Sequence, residues 1–153
     1  MQIILALHNL VRWAILLFGL WTLINAFTGV LSKRVFTAGD NRSNLLFMIS
    51  CDIQLLLGLV LYFAGPWFGL LKNNAKEVMQ DDTTRFFAVE HGFMMILAWI
   101  LVHIGRSSVK KAITPEAKHK RMLIFFGLAI VLILAAMPWP FREAVARPWF
   151  RGF

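Results

Sequence analysis

The sequence predicts an all-α integral membrane protein, a four-helix bundle that forms a single transmembrane domain over residues 1–153. Hydrophobic residues make up 59% of the chain, whereas a soluble domain is typically about 45–50% apolar. The excess is concentrated in four long runs, and no linker or internal repeat divides the chain. These observations indicate that the bilayer is the solvent of most of the protein.

The four apolar runs have the length of membrane-spanning helices. They cover about residues 3–31, 45–63, 85–104 and 122–137. A helix needs roughly 20 mostly apolar residues to cross a hydrocarbon core of about 30 Å. The fourth run is a little short, but it ends at Pro138-Trp139-Pro140, which is typical of a membrane interface.

The first apolar run is predicted to be a helix of the mature protein rather than a signal peptide. It lacks a basic start, it contains His8 and Arg12, and no small-residue cleavage site follows it. We therefore count it as the first of the four spans.

Lysine and arginine residues are concentrated in the loops after the first and third runs. These residues are Lys33, Arg34, Arg42, Arg106, Lys110, Lys111, Lys118, Lys120 and Arg121. Because basic loops tend to stay in the cytoplasm, residues 37–44 and 107–120 are expected to face it. Both termini should then lie on the outer, periplasmic side of a bacterial inner membrane. The net charge of +8 is explained by basic loops that are attracted to anionic lipid headgroups. The sequence contains no nucleic-acid motif.

Two histidines on different helices are predicted to share one layer of the membrane. The first and third helices both enter from the outer side, which places His8 and His91 within a few turns of the outer surface. Small residues continue the same helix faces below each histidine, which favours a bundle interior with space in it. Two neutral imidazoles on facing helices of a four-helix bundle can hold a b-type haem. The sequence therefore predicts haem b with His8 and His91 as iron ligands.

Arg12 lies one turn below His8 on the same helix face and requires a partner. An arginine in hydrocarbon costs about 2.5–3.5 kcal/mol on insertion scales. We expect Glu90 as its first partner and a haem propionate as its second. A zinc site of His8, His91 and Glu90 is a weaker alternative, because adjacent helical residues point about 100° apart.

The second run contains another polar cluster, at Ser50-Cys51-Asp52-Ile53-Gln54. Asp52 is placed to pair with His103, to relay protons, or to bind a quinone headgroup together with Gln54. A structural hydrogen bond between helices fits equally well. The candidate secondary polar site consists of Asp52, Gln54, Glu90 and His103.

Three other residues are given structural interpretations. The single cysteine, Cys51, is expected to be a packing residue. His103, near the inner boundary, is expected to have an interfacial role, and His119, between two lysines, is expected in a solvated loop. A second haem between His103 and His119 is only weakly indicated.

Several short motifs give the chain a resemblance to a known group. They are LHNLVRW at residues 7–13, GDNR at 39–42, FAVEH at 87–91, HIGR at 103–106 and KHKR at 118–121. Over nearly its whole length the chain resembles small four-helix bacterial membrane proteins labelled cytochrome b-like. The resemblance implies haem ligands near the start of the first helix and on a later helix, which His8 and His91 match. The chain departs from two-haem cytochromes b, because its second and fourth runs contain no histidine.

The predicted function is that of a membrane cytochrome-like subunit that carries electrons between the quinone pool and a partner. A haem with two protein axial ligands transfers electrons rather than binding oxygen. Without a soluble domain or a nucleotide motif, the chain is expected to be an electron-transfer or accessory subunit, not a complete enzyme. Its expected partners are other membrane subunits or further copies of itself.

Two alternatives remain open at this point. In the first, the chain is a cofactor-free scaffold or accessory subunit of a larger complex, and the histidines and Arg12–Glu90 form interhelical hydrogen bonds. In the second, Asp52, Glu90 and the histidines line a path for protons or metal ions.

Overall fold

The computed structural model describes residues 1–150. This part of the chain is helical and contains no β-strand. Its helices are α1 (Gln2–Ser32), α2 (Ala38–Ala64), α3 (Trp67–Asn73), α4 (Ala75–Gln80), α5 (Asp82–Arg85), a π-helical turn (Phe86–Glu90), α6 (His91–Lys111) and α7 (Pro115–Ala136). The all-helical class predicted from the sequence is confirmed.

Four helical segments are long and apolar enough to cross a membrane. They are α1, α2, the continuous segment Asp82–Lys111 that ends in α6, and α7. Three of them extend further than the apolar runs predict: α2 begins at Ala38 rather than 45, α6 ends at Lys111 rather than 104, and α7 begins at Pro115 rather than 122. The polar sequences GDNR and KHKR are therefore helical.

Helix caps explain these longer boundaries. At the start of α2, the Thr37 hydroxyl accepts from the Asp40 amide at 3.3 Å, and the Asp40 carboxylate accepts from the Thr37 amide at 2.7 Å. This reciprocal pair is a capping box. At the start of α7, Thr114 accepts from the Ala117 amide at 3.2 Å, and Pro115 occupies the first helical position. Hydropathy detects only the apolar part of each helix, while the caps determine where it begins.

The four long helices pack as two antiparallel pairs. α1 packs against α2, α6 packs against α7, and α7 also lies against α1, while the contact between α2 and α6 is looser. The core between them contains Phe47, Val102, Met122 and Phe126, each essentially inaccessible to solvent. The bundle is therefore well packed on three sides and more open along the seam between α2 and α6.

The chain direction brings four helix ends together at each end of the bundle. We call the end where α1 begins the N-terminal end. There α1 and α6 begin, α2 and α7 end, and residues 137–150 fold back towards α1. The opposite end contains the α1–α2 and α6–α7 connections.

A buried polar network holds the opposite end together. Asp40 is 1% exposed and accepts two hydrogen bonds from Arg34, at 2.6 and 2.7 Å. This contact raises the pKa of Arg34 above its ordinary value. The guanidinium of Arg106 donates to the side-chain oxygens of Asn41 and Asn44. Most polar side chains near the α1–α2 connection are thus paired. Nε of Arg106 and both ring nitrogens of His119 are buried without a hydrogen-bond partner among the residues described.

His119 belongs to this buried end, so its predicted place in a solvated loop is wrong. It lies in α7, its side chain is 0% exposed, and its Nε2 lies 3.8 Å from Oδ2 of Asp40. Gly29 makes room for the ring, because a Cβ at that position would lie 2.1 Å from Nδ1 of His119. The flanking lysines suggested exposure, but helical rotation points His119 inwards between them.

Sidedness gives the first testable prediction. Cysteines introduced at Val35 and Ile113, which are 70% and 95% exposed, should resist an impermeant thiol reagent in intact cells, because basic loops are retained in the cytoplasm. A cysteine at Met79, 51% exposed on the other side of the bundle, should react. All three are measured in a Cys51→Ala background. Labelling at Val35 and Ile113 but not at Met79 would reverse the predicted orientation.

Candidate functional site

The structure brings His8 and His91 together near the N-terminal end of the bundle. Their ring centroids are 6.4 Å apart, and the ring planes are inclined by 66°. Both rings line one cavity of about 910 Å³, bounded by α1, α2, α6 and the chain after α7. This volume lies within the range of roughly 300–1,000 Å³ that is typical of ligand pockets. The two histidines therefore share a layer, as the helix directions predict, and also share a chamber.

His91 is held by the end of α7. Its Nδ1 lies 2.8 Å from the carbonyl oxygen of Ala136, the last residue of that helix. Carbonyls in the last turn of a helix have no partner within the helix, and a carbonyl oxygen can only accept. A neutral His91 therefore donates from Nδ1 and keeps its lone pair on Nε2. Metal-binding histidines are commonly oriented by such a hydrogen bond.

The π-helical turn directly before His91 is a feature that the sequence analysis missed. It spans Phe86–Glu90, and its two phenylalanine rings lie 5.7 and 6.4 Å from the His91 ring. Single π-helical turns inside helices are frequent at functional sites. An inserted turn of this kind leaves no mark in hydrophobic periodicity, so it becomes visible only in the structure.

His8 is positioned by α2. A Cβ on Gly58 would lie 3.4 Å from Cε1 of His8, so the α2 backbone passes close to the ring. The Gln54 side chain donates to the His8 carbonyl oxygen at 3.0 Å. In the described part of the chain, Nδ1 of His8 and Oε1 of Gln54 are buried without a hydrogen-bond partner. Gln54 thus contributes to the His8 site and not, as the sequence suggested, to a group around Asp52.

The two rings are close enough for one ligand to contact both. Their centroids are 6.4 Å apart, and the hydrogen bond of His91 to Ala136 uses Nδ1 and not Nε2. Imidazole nitrogens are among the ligands of haem iron in proteins. Two histidines that line one cavity are therefore a donor set of the kind that could hold a haem.

Arg12 does not pair with Glu90, so that prediction is wrong. Its guanidinium donates to the carbonyl oxygens of Trp149 at 2.7 Å and Pro148 at 3.3 Å. Glu90 instead accepts from Arg85 at 2.7 Å. The residues after α7 fold back over α1 and supply the acceptors, which helical spacing alone cannot reveal. Arg12 still lines the cavity, and its buried Nε has no partner among the residues described.

The separate partners of Arg12 and Glu90 lead to a second prediction. Arg12→Leu and Glu90→Leu should each lower the thermal stability of the detergent-solubilised protein, and the double variant should lose the sum of the two. Changes at sites without shared partners usually add within about 0.3–0.5 kcal/mol. A double variant no less stable than either single variant would show that the two residues are coupled after all.

The zinc alternative finds no support in the donor geometry. Within residues 1–150 no group of three or more His, Cys, Asp or Glu side chains is placed to hold a metal ion. Glu90 is turned towards Arg85, so it is not a third ligand beside His8 and His91. His8 and His91 are therefore left as a two-imidazole donor set.

Asp52 and His103 form the second polar group, and their pairing is one of the alternatives that the sequence left open. Nε2 of His103 lies 2.8 Å from Oδ1 of Asp52. Trp99, one helical turn before His103 on the same face, donates its indole N–H to the same oxygen at 2.7 Å. The sequence analysis did not predict that Trp99 binds Asp52. Its spacing of four residues from His103 could have indicated this, because residues four apart share a helix face.

The chain matches no model of a protein family, no curated protein and no solved structure. Arguments about function therefore depend on the geometry of the chain itself.

Proposed function

We propose that this protein is a membrane b-type cytochrome-like subunit that holds one haem b between His8 and His91. The observation that carries the proposal is the pair of imidazoles, with centroids 6.4 Å apart, that line one cavity of about 910 Å³. The cavity is lined mainly by α1, α2 and α6, which belong to the segments long and apolar enough to cross a membrane. A bacterial inner membrane is the proposed location.

The two histidine rings are oriented in different ways, one by a hydrogen bond and the other by packing. His91 is oriented by the Ala136 carbonyl, which keeps Nδ1 protonated and directs the lone pair of Nε2 to the ligand. His8 has no such anchor on its ring, and its orientation comes from packing against α2 at Gly58. When bound, the haem supplies one-electron transfer.

Arg12 provides a positive charge at the wall of the same cavity. The guanidinium donates to main-chain oxygens, and its Nε is buried without a partner among the residues described. Within residues 1–150 no carboxylate pairs with this charge. A haem propionate would supply both a counter-ion and an acceptor, and charge-assisted hydrogen bonds of this kind are strong.

The surroundings of the His8 ring support a haem carrier over a cofactor-free scaffold. His8 lines the cavity together with His91, and its Nδ1 is buried without a partner in the described structure. The ring nitrogens of His119 are also buried without partners, but His119 packs against Gly29 and does not line this cavity. The shared cavity therefore distinguishes His8 as the candidate ligand.

The proposed partners follow from the redox role. A one-electron carrier enclosed in an apolar bundle exchanges electrons with lipid-soluble molecules or with adjacent subunits. We therefore propose that the protein transfers electrons between the quinone pool and a partner membrane subunit.

The visible absorption spectrum tests this proposal. Protein purified from cells supplied with ample haem should show the sharp reduced bands of a low-spin haem with two imidazole ligands, at one haem per chain. Colourless protein under these conditions would refute the proposal and leave the scaffold as the better interpretation.

A further inference from the structure

Asp52 and His103 are unusual because they face outwards within the apolar part of the bundle. Asp52 lies near the middle of α2, yet its side chain is 37% exposed, and that of His103 is 38% exposed. Ionisable side chains within a membrane span almost always face the bundle interior or a water-filled cavity. Asp52 and His103 pair with each other, and the exposed part of each side chain faces the side of the bundle, where a molecule from the bilayer can reach it.

The pair has unused hydrogen-bonding atoms. Both hydrogen bonds to Asp52 end on Oδ1, and Oδ2 accepts none from residues 1–150. His103 uses Nε2 for its contact with Asp52, which leaves Nδ1 available. The cluster thus offers one carboxylate acceptor and one imidazole nitrogen to an outside molecule.

The neighbouring side chains favour a small molecule over another helix. The exposed residues one turn away are Ile49 and Leu56 on α2 and Ile100 on α6, at 40%, 64% and 39% exposure. Interfaces between membrane helices are enriched in small residues that let backbones approach closely. Large branched aliphatic residues are instead typical of a surface that meets lipid.

The cluster adjoins the cavity that contains the two histidines. Trp99 lines that cavity and also donates to Asp52. Both features lie along the seam where α2 and α6 pack loosely. A molecule dissolved in the bilayer can reach this seam without crossing a water-exposed surface.

We infer that Asp52, His103 and Trp99 form a binding site for the hydroxyl-bearing ring of a lipid-soluble hydroquinone. Oδ2 of Asp52 accepts a hydrogen bond from one ring hydroxyl, and Nδ1 of His103 is the second hydrogen-bonding atom of the site. The Trp99 ring lies against that of His103, with centroids 4.4 Å apart, and also lines the cavity that contains His8 and His91. The inference rests on the proposed function for the class of ligand. Binding itself does not require haem.

Equilibrium binding of decyl-ubiquinol to the protein in lipid nanodiscs tests the inference. The hydroquinone dimethyl ether with the same tail serves as the matched probe, since it keeps the ring and loses the hydroxyl donors. Decyl-ubiquinol should bind saturably at one site per chain. Asp52→Asn and His103→Gln should each weaken it at least about tenfold, because hydrogen bonds to charged groups are the stronger ones. The dimethyl ether should bind weakly to all forms.

Ser50→Ala is the matched control variant. Ser50 lies two residues before Asp52, is 6% exposed, and donates only to its own helix at Leu46, so its loss should leave decyl-ubiquinol binding unchanged. The inference is overturned if the diol and its ether bind equally, or if Asp52→Asn binds like the parent protein. It is also overturned if no probe binds and Asp52→Asn converts an oligomer to a monomer.

The two proposals fail separately. A protein with a low-spin haem spectrum but no hydroquinone binding would refute this inference and keep the proposed function. Saturable hydroquinone binding by a colourless protein would refute the proposed function and keep this inference.

Discussion

Replacing His8 or His91 by alanine should abolish the reduced low-spin haem spectrum. In the proposed haem site both imidazoles would hold the iron, so the loss of either should weaken or abolish haem binding and remove the low-spin spectrum. We choose this pair because no histidine other than His8 and His91 lines the cavity within the residues described. The measurement is the difference spectrum of purified variants, normalised to protein concentration.

His103→Ala is the matched control for these variants. It removes an imidazole from the same helix as His91, but His103 binds Asp52 rather than lining the cavity. The spectrum should therefore remain. If His103→Ala removes the spectrum and His8→Ala does not, a haem is present at a different place from the one proposed.

Gly29→Ala should destabilise the protein more than any other single methyl addition that we consider. A Cβ at this position would lie 2.1 Å from Nδ1 and 2.2 Å from Cδ2 of His119. That ring is fully buried and packs edge-on against Phe36, with ring centroids 5.3 Å apart, so it has little room to move. Overpacking costs about 1–3 kcal/mol, occasionally more, which exceeds the helix-propensity gain of about 0.8–1.0 kcal/mol. Thermal unfolding in detergent measures the difference.

Two further variants separate the clash from a general effect of the substitution. Gly127→Ala should be neutral or slightly stabilising, because its Cβ would meet only Leu23, at 3.9 Å. Adding His119→Ala to Gly29→Ala should recover part of the lost stability, since it removes the ring that the methyl group meets. Unchanged stability of Gly29→Ala itself would mean that His119 does not lie against α1.

The placement of His8 beside His91 could be predicted from the sequence. The apolar runs define four helices, and the alternating direction of successive spans places the starts of the first and third helices at the same end. Residues about one to two turns from those starts must then share a layer. The hydrogen bond between Asp52 and His103 was predictable for a similar reason, because ionisable groups in hydrocarbon seek partners at their own depth.

The partners of Arg12 and Glu90 could not be predicted in the same way. Arg12 binds carbonyl oxygens of Pro148 and Trp149, more than 130 residues away along the chain. Main-chain acceptors carry no mark in the sequence, since every residue has one. Glu90 is redirected to Arg85 at a π-helical turn that periodicity does not reveal.

The sequence by itself determined the helical class, the number of apolar spans and the layer that His8 and His91 share. These properties depend on hydrophobicity summed along each segment and on chain direction, both of which are local. Only the tertiary structure decided that His119 is buried against Gly29, that the chain after α7 covers Arg12, and that Asp52 faces outwards. Those outcomes depend on how each helix is rotated about its axis and on which side chains fit between helices, and packing of distant segments sets both.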